Sequence, residues 1–537
     1  MAARVESPTV RYISECFIKP KYTREESELP IYLSPCDLSM VFIHYMQKGL
    51  LFPKPPAFDT DQNHIQELLE KLQESLSLAL VHFYPLSGCL ATLKHEGVPS
   101  NLVIYVDCKK GPGARFIHAS LDLTLDDILS PTDVPQVVRS FFDHDGSVNY
   151  DGITKSLLAI QVTELIDGIF IGCSMNHMIG DGTSFWHFLN SWSEIFKAEG
   201  KAIAISRPPT YEKLFPEGHG PIISIPFSES KDLFNSRDEE KEKAQPEMIR
   251  ERIFHFSSES VAKLKAKANA ECNTSMISSL QALSALIWRC ITRWRNFPPH
   301  QKTNFTIVLS NRSRLVPPVS DDCFANHLHP LVVTTTCDEL LGGGLGFAAW
   351  LLHQAVTNHT DKEARKWIES WVHSPFLSRG SESMISDPCS ILLGGSQWFN
   401  MYGNEFGLGK PIGIRSGSAN KCDGKVTVSP GSEGGRSMDL EICLQSHVMT
   451  SLESDMEFME CAAHSEGGVG GTKNWEKWLQ RNFLAADMVF GWISEAWLAP
   501  CTCCFTSTVT HFCALWISDF PGFAIWVQPM QGINWDE

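Results

Sequence analysis

One short segment, Asn176–Gly182, constrains this chain more than any other part of its sequence. It places His177 and Asp181 four residues apart, with a glycine on each side of the aspartate. Two apolar runs rich in β-branched residues precede it, separated by an Asp-Gly pair: residues 157–162, 167–168 and 169–175. Such runs on either side of Asp-Gly predict two strands joined by a tight turn. His177 is therefore predicted at the point where a buried strand ends.

A helix is predicted directly after this segment. Thr183 and Ser184 are suitable capping residues, and the apolar residues from 185 to 196 recur at helical spacing. The glycines of the segment, Gly180 and Gly182, allow unusual backbone dihedrals and a close approach of a ligand to the main chain. The sequence thus indicates a strand, a glycine-rich turn that holds His177, and an amphipathic helix.

The imidazole of His177 titrates near neutral pH, so it can take a proton from an alcohol or an amine. Asp181 has two possible roles: it orients the imidazole, or it pairs with an arginine and holds the turn. The bent backbone between the two glycines favours the second role. A zinc site is not predicted, because zinc needs three or four ligands and no His or Cys pair lies nearby in the sequence.

Two other catalytic motifs are excluded. The segment 344–349 imitates Gly-x-Gly-x-x-Ala, but no βαβ unit with an acidic residue about twenty positions later accompanies it. The sequence contains no Gly-x-Ser-x-Gly elbow, which argues against a serine hydrolase. Neither a dinucleotide-binding domain nor a serine hydrolase is therefore expected.

Further segments along the chain resemble one known family. They occur at 13–20, 33–38, 76–88, 279–289, 311–318, 405–411 and 423–431. Together with His-x-x-x-Asp-Gly at 177–182, these segments resemble the BAHD family of plant acyl-CoA-dependent acyltransferases. The likeness extends from about residue 8 to about residue 464, in the order and spacing of the family.

The resemblance implies an α/β fold of the two-lobed chloramphenicol-acetyltransferase-like kind, with mixed sheets, flanking helices and an active-site channel between the lobes. It implies direct transfer of an acyl group from acyl-CoA to a hydroxyl or amine of a small plant metabolite in a ternary complex. His177 is then the general base, and acyl-CoA is a co-substrate, with no bound cofactor and no metal. Members of the family use acetyl, malonyl, benzoyl and hydroxycinnamoyl donors, and the sequence does not choose among them.

Supporting residues follow from the same resemblance. An arginine of the segment 311–314 is expected to pair with Asp181, and both Arg312 and Arg314 are candidates because residues i and i+2 of a strand face one side. For the phosphates of CoA, the candidates are three lysines on a predicted helix and two serines before the next one: Lys263, Lys265, Lys267, Ser278 and Ser279.

The second family motif, Asp-Phe-Gly-Trp-Gly, is altered in this chain. Glu405 replaces the aspartate and Leu408 replaces the tryptophan, whereas Gly407 and Gly409 are retained. The loop is mainly structural in the family, so we expect it to be repacked and the enzyme to stay active. Two rival hypotheses nevertheless remain: a lyase-type divergent member, and a non-catalytic homologue that binds a ligand.

The predicted organisation has four parts. Residues 1–204 form the first lobe, 205–248 a charged linker, 249–464 the second lobe, and 465–537 an atypical tail rich in Trp and Cys. The tail shows neither a helical stripe nor a strand alternation, and it is interpreted as disordered or as an artefact of the gene model, with a partner-binding tail as the rival.

Composition excludes some classes of partner. A formal net charge of −17 argues against nucleic acid, which needs a basic face. Seventeen cysteines without a regular spacing favour a reduced cytoplasmic protein, and the N-terminus lacks the apolar core of a secretory signal. No run is apolar enough to span a membrane. The expected protein is a cytoplasmic monomer that binds acyl-CoA and a small-molecule acceptor.

Overall fold

Two mixed six-stranded sheets form the framework of the chain in the computed structural model, which describes residues 9–56, 58, 63–95, 101–199, 204–226, 249–375, 377 and 387–462. All of the described residues belong to a single folded unit. The predicted tail, 465–537, and most of the charged part of the linker lie outside the described residues.

The first sheet contains the two strands predicted around the Asp-Gly pair. Its strand order is β1-β6-β7-β8-β3-β14, with β6 and β7 parallel and the other neighbours antiparallel. The strands are β1 Arg11–Ile18, β3 Met46–Pro53, β6 Ala114–Ser120, β7 Leu158–Glu164, β8 Gly168–Met175 and β14 Gly413–Ser416. The tight turn at 165–167 thus joins β7 to β8, as the sequence predicts.

The second sheet has the order β10-β16-β15-β13-β11-β12. Its strands are β10 Ile249–Phe256, β11 Lys302–Ser310, β12 Leu328–Thr336, β13 Ser390–Gly395, β15 Lys425–Pro430 and β16 Met438–Gln445. A smaller sheet is attached to the first half and consists of β2 Ile31–Tyr32, β4 Cys89–His95, β5 Asn101–Asp107 and β9 Ser224–Pro226.

Helices cover the sheets. Their bounds are Pro35–Leu38, Asn63–His82, Leu125–Leu129, Gly182–Lys197, Ser258–Glu271, Ser279–Arg295, Cys337–Gly342, Gly344–Asn358, Asp361–His373, Ser446–Leu452 and Met456–Met459, with 3-10 turns at Glu25–Glu28, Tyr84–Ser87, Gln136–Phe141 and Asn149–Ile153. The helix Ser279–Arg295 begins directly after Ser278, because Ser278 forms a capping box with Gln281. No described helix is both long enough and apolar enough to cross a membrane.

One strand crosses between the two halves. β14 comes from the second half of the sequence but pairs with β3 at the edge of the first sheet. The segment that follows it, 417–424, leads back to β15 in the second sheet. The sequence did not predict this crossing, because a four-residue strand carries little periodic signal.

The strands of the second sheet have one apolar face and one polar face. Val426 and Val428 of β15, with Leu440 and Ile442 of β16, belong to the buried core of the second half. Because side chains alternate along a strand, the intervening residues point to the opposite face. That face carries charged residues, among them Lys425 and Glu441. The two-lobed α/β arrangement with mixed sheets and flanking helices is therefore confirmed.

Candidate active site

His177 lies two residues beyond the end of β8, and its main chain is held from both sides. Its backbone N–H donates to Oδ1 of Asn149 at 2.7 Å, and its carbonyl accepts from Nδ2 of Asn326 at 2.7 Å. Asn149 comes from the 3-10 turn before β7, and Asn326 comes from the segment before β12. Two parts of the chain distant in sequence thus fix the backbone that presents the imidazole.

The environment of His177 favours the neutral imidazole. Burial lowers its pKa below the usual value. A backbone hydrogen bond, Asp181 and Asn326 raise the pKa by less, and the charge of Lys425 adds a smaller lowering. The side chain nevertheless keeps partial access to solvent. A neutral imidazole at neutral pH has a lone pair with which to accept a proton from an incoming alcohol or amine.

Asp181 is the capping residue of the helix Gly182–Lys197. Its Oδ1 accepts from the backbone N–H of Ser184 at 3.1 Å. The prediction that Thr183 or Ser184 would cap this helix is therefore wrong by two to three residues. The aspartate is the better cap because its charge interacts favourably with the positive end of the helix dipole.

Asp181 also forms a buried ion pair with Arg312. Nη1 of Arg312 lies 2.6 Å from Oδ2, and Nη2 lies 3.1 Å from Oδ1. Oδ2 accepts in addition from the backbone N–H of His327 at 3.1 Å. Burial by itself would raise the pKa of Asp181, but Arg312 and the backbone donors outweigh it, so the pKa lies below its usual value. The carboxylate is thus ionised, and its oxygens are used to hold the turn.

The two candidate arginines have different partners in the structure. Arg314 donates to the backbone carbonyls of Val356 and His359, each at 2.9 Å, and does not contact Asp181. The prediction for Arg314 fails because β11 ends at Ser310, so residues 312 and 314 lie in a turn and do not share a strand face. Arg312 alone of the two supports the segment around His177.

Neighbouring side chains lie close to the two glycines beside Asp181. A Cβ at Gly180 would lie 2.5 Å from Cβ of Ser184, and one at Gly182 would lie 3.0 Å from the ring of Phe399. Neither glycine has a positive φ. The expectation of unusual dihedrals is therefore wrong, and the reason for glycine at these positions is the close approach of neighbouring side chains.

The altered loop 405–409 packs against the far end of the helix that begins at Gly182. Glu405 forms an ion pair with Lys197 at 3.1 Å, and the ring of Phe406 stacks obliquely on Trp192, with centroids 4.6 Å apart. Gly407 and Gly409 have φ of +73° and +80°, which favours glycine there. The helix has 16 residues and spans about 24 Å, so the loop supports the helix far from His177.

The candidate CoA residues lie on two neighbouring helices of the second half. Lys263 pairs with Glu259 at 2.6 Å on the solvent-exposed face of the helix Ser258–Glu271, where Lys267 is also exposed and Lys265 is half-buried. The side chain of Asn269 bonds both backbone groups of Ile277. This contact holds the lysine-bearing helix beside Ser278 and Ser279, which begin the next helix. The five residues therefore lie in one region of the second half.

Several residues that support His177 were missed from the sequence. Asp37 is fully buried and forms an ion pair with Lys213 at 2.7 Å. It also accepts from the backbone N–H of Asn326 at 3.1 Å and from its side chain at 3.0 Å. The signal available was Ser34-x-x-Asp37, which indicates a capping box and does form one. Nothing in the sequence indicates that Asp37 also reaches Asn326.

Comparison with known sequences places the chain in a family. A sequence model of the Transferase family matches residues 9–459. An acetyltransferase of Arabidopsis thaliana is 35% identical over 456 residues, which are 84% of this chain and 99% of the relative. From the same plant, the BAHD acyltransferase DCR is 31% identical over 439 residues, covering 80% of this chain and 88% of the relative.

Solved structures agree at the level of the fold. The crystal structure of vinorine synthase superposes with a TM-score of 0.61 at 18% identity, covering 84% of this chain and 98% of its own. TRI101 of F. sporotrichioides, complexed with coenzyme A and T-2, gives 0.59 at 18% identity, covering 81% and 99%. The chain belongs to the plant BAHD family of acyl-CoA-dependent acyltransferases.

Proposed function

We propose that this protein transfers an acyl group from an acyl-CoA thioester to a hydroxyl or amine of a small molecule, with His177 as the general base. The observation that supports this most directly is the setting of His177. Its backbone is held by Asn149 and Asn326, its pKa is lowered by burial, and its imidazole keeps partial access to solvent. These are the properties of a positioned base that is neutral at working pH.

The reaction needs no covalent enzyme intermediate. The acceptor oxygen or nitrogen attacks the thioester carbonyl while His177 takes its proton, and a new C–O or C–N bond forms. When the tetrahedral adduct collapses, the C–S bond breaks and the imidazolium returns the proton to the CoA thiolate. The products are an ester or amide and free CoA. Holding both substrates together in a ternary complex supplies the proximity that this step requires.

Asp181 stays outside the proton transfer in this proposal. Arg312, the N–H of His327 and the N–H of Ser184 occupy its carboxylate oxygens. It therefore fixes the turn between β8 and the helix Gly182–Lys197, and the position of His177 depends on that turn. Asp181 and Arg312 are positioning residues, and a general base such as His177 contributes about 10² to 10⁴ in rate.

For acyl-CoA we propose the region of the two second-half helices. Lys263 and Lys267 offer positive charge for phosphates. Ser279 provides a hydroxyl and a backbone N–H at the helix N-terminus, and the hydroxyl of Ser278, which accepts from the N–H of Gln281, can still donate. The TRI101 structure contains coenzyme A on the same fold. Relatives named for hydroxycinnamoyl transfer, such as a shikimate O-hydroxycinnamoyltransferase of Nicotiana tabacum that is 27% identical, support an acyl-CoA donor. A cytoplasmic location and a monomeric state stay predictions.

The test is release of free CoA thiol by the full chain from a panel of acyl-CoAs with pooled alcohols and amines. We expect acceptor-dependent release, and a fall of about 10² to 10⁴ in kcat for His177→Ala. The matched control is His353→Ala, at a half-buried histidine on the helix Gly344–Asn358, which should retain activity. Thiol release that persists in His177→Ala, or none from the folded wild type with any donor, would contradict the proposal.

A further inference from the structure

Four basic side chains meet between the two sheets, near His177. Lys48 extends from β3 of the first sheet and Lys425 from β15 of the second. Arg415 lies on β14, and Lys421 lies on the segment 417–424 that follows it. We call these four residues the interlobe basic cluster. Lys48 lies two residues after Met46, which pairs with Met175 at the end of β8, and His177 follows Met175 by two residues. The charge of Lys425 also lowers the pKa of the His177 imidazole.

Two carboxylates next to the interlobe basic cluster make ion pairs with one of its members. Lys421 makes ion pairs with both Glu251 and Glu441, the latter at 3.5 Å. Burial and the neighbouring Glu441 raise the pKa of Glu251, which disfavours its negative charge. Asp439 also faces Arg415, and Glu441 acts on Lys48, Arg415 and Lys425 as well. Three carboxylates therefore face four basic groups, and Lys421 makes ion pairs with two of them.

Lys48 and Arg415 hydrogen-bond to uncharged groups. Lys48 donates to the hydroxyl of Ser416 at 2.5 Å, and Arg415 donates to the backbone carbonyls of Ile414 and Ile128 at 2.9 and 3.2 Å. In the described parts of the chain, no carboxylate lies within ion-pair distance of Lys48, Arg415 or Lys425. Positive charge thus exceeds negative charge in a region where charge is costly to bury.

The ammonium group of Lys425 lies beside Gly394, a position without a side chain. A Cβ built on Gly394 of the neighbouring strand β13 would lie 3.1 Å from Nζ of Lys425 and would meet no other atom within 4 Å. Burial lowers the pKa of Lys425 and Lys48 lowers it further, whereas Glu441 raises it by less. Its side chain nevertheless keeps partial access to solvent.

We propose that Lys425, supported by Lys48, binds a carboxylate on the small substrate that reacts at His177. This rests on the proposed acyl transfer and narrows its substrate class to acidic compounds. The carboxylate belongs either to the acceptor, such as a hydroxy acid or amino acid, or to the acyl chain of a dicarboxylic acyl-CoA. The phosphates of CoA are a poorer match, because the pantetheine arm separates them from the thioester beside His177.

The test compares acidic substrates with neutral analogues of the same size. One arm uses amino acids against their amides with acetyl-CoA, and the other uses malonyl-CoA against acetyl-CoA with neutral acceptors. We expect kcat/KM to favour the acidic partner at least tenfold in one arm, which identifies the source of the carboxylate. Lys425→Met and Lys425→Gln should each reduce that preference about tenfold or more, as expected for loss of a hydrogen bond between charged groups.

The control is Lys302→Met, which removes the same charge from an exposed position on β11 of the same sheet and should leave the preference unchanged. Thermal unfolding of each variant shows whether it is folded. A wild type that prefers neutral partners in both arms, or a preference that changes less than twofold in both Lys425 variants, would overturn the inference.

A binding measurement keeps this inference separate from the proposed reaction. Succinate should raise the unfolding temperature of the wild type more than succinamide does, since a ligand that binds the folded state stabilises it. The difference should disappear in Lys425→Met. If acyl transfer is absent but this difference is present, the proposed reaction fails and the anion site stands. Equal effects of succinate and succinamide on the wild type would contradict the site.

Discussion

Arg312 holds Asp181 through two hydrogen bonds, of 2.6 and 3.1 Å, and neither side chain is more than 2% exposed. The aspartate follows β8 of the first sheet, and the arginine follows β11 of the second. The pair therefore joins the two halves of the protein at the turn that presents His177.

Removing one member of this pair should destabilise the protein. For Asp181→Asn we expect the free energy of unfolding to fall by about 3–5 kcal/mol, because Arg312 remains as an uncompensated buried charge. The measurement is denaturant unfolding. Asp322→Asn is the matched control, since Asp322 pairs with Arg207 at 2.7 Å near the surface and should contribute at most about 1 kcal/mol. Equal losses for both variants would contradict the prediction.

The contribution of Asp181 should also depend on pH. Its pKa in the folded state lies below its usual value, with Arg312 and backbone donors outweighing burial, so ionisation favours folding. This stabilisation is fully present above the unfolded-state pKa of about 3.9 and is lost as pH falls through the lower pKa of the folded state. The stability difference between wild type and Asp181→Asn should be constant from pH 5 to 7 and shrink below about pH 4. A difference that grows on acidification would disprove this.

The pH profile of kcat/KM should have an acidic limb whose apparent pKa lies below the usual pKa of histidine. Burial lowers the pKa of His177, and the base must be neutral to act. We expect kcat/KM to rise with pH through an apparent pKa below about 6.5 and then to level off. Lys425→Met should move this limb to higher pH, because it removes a positive charge that disfavours the imidazolium. A limb above 6.5 in the wild type would be incompatible with this environment.

In the loop 405–409, apolar packing should contribute more to the free energy of unfolding than the ion pair of Glu405 does. Glu405→Gln removes a partly exposed ion pair with Lys197 and should cost at most about 1 kcal/mol, with kcat nearly unchanged. Phe406→Ala removes a fully buried ring that packs on Trp192 and should cost about 3–5 kcal/mol. Denaturant unfolding and steady-state kinetics measure both. A large loss of kcat in folded Glu405→Gln would show that the loop acts on the chemistry.

The proposed CoA region can be tested by its charge. The double variant Lys263→Met/Lys267→Met should raise KM for acyl-CoA several-fold and reduce its dependence on salt, because both lysines are exposed and attract phosphates through screened charge. The value of kcat should change little. Lys71→Met, on the exposed face of the helix Asn63–His82 in the first half, is the control. An unchanged KM and salt dependence would move the CoA site elsewhere.

Local pattern was sufficient for much of the fold. The Asp-Gly pair at 167–168 predicted the turn between β7 and β8, and the apolar spacing of residues 185–196 predicted the helix that the structure has at Gly182–Lys197. These elements depend on contacts within a few residues, which the sequence displays directly. The start of the helix Gly182–Lys197 was predicted less accurately. Asp181 caps it, and the orientation of the Asp181 side chain depends on Arg312, which is distant in sequence.

Sequence alone determined the family, the His177 turn and the strands and helices around it. Only the tertiary structure decided which arginine meets Asp181, how Asp37 reaches Asn326, and that Lys48 and Lys425 meet between the sheets. The partners in these contacts are far apart in the chain and carry no shared periodicity. Their proximity results from strand order and from the crossing of β14, and these arise from packing of the whole fold.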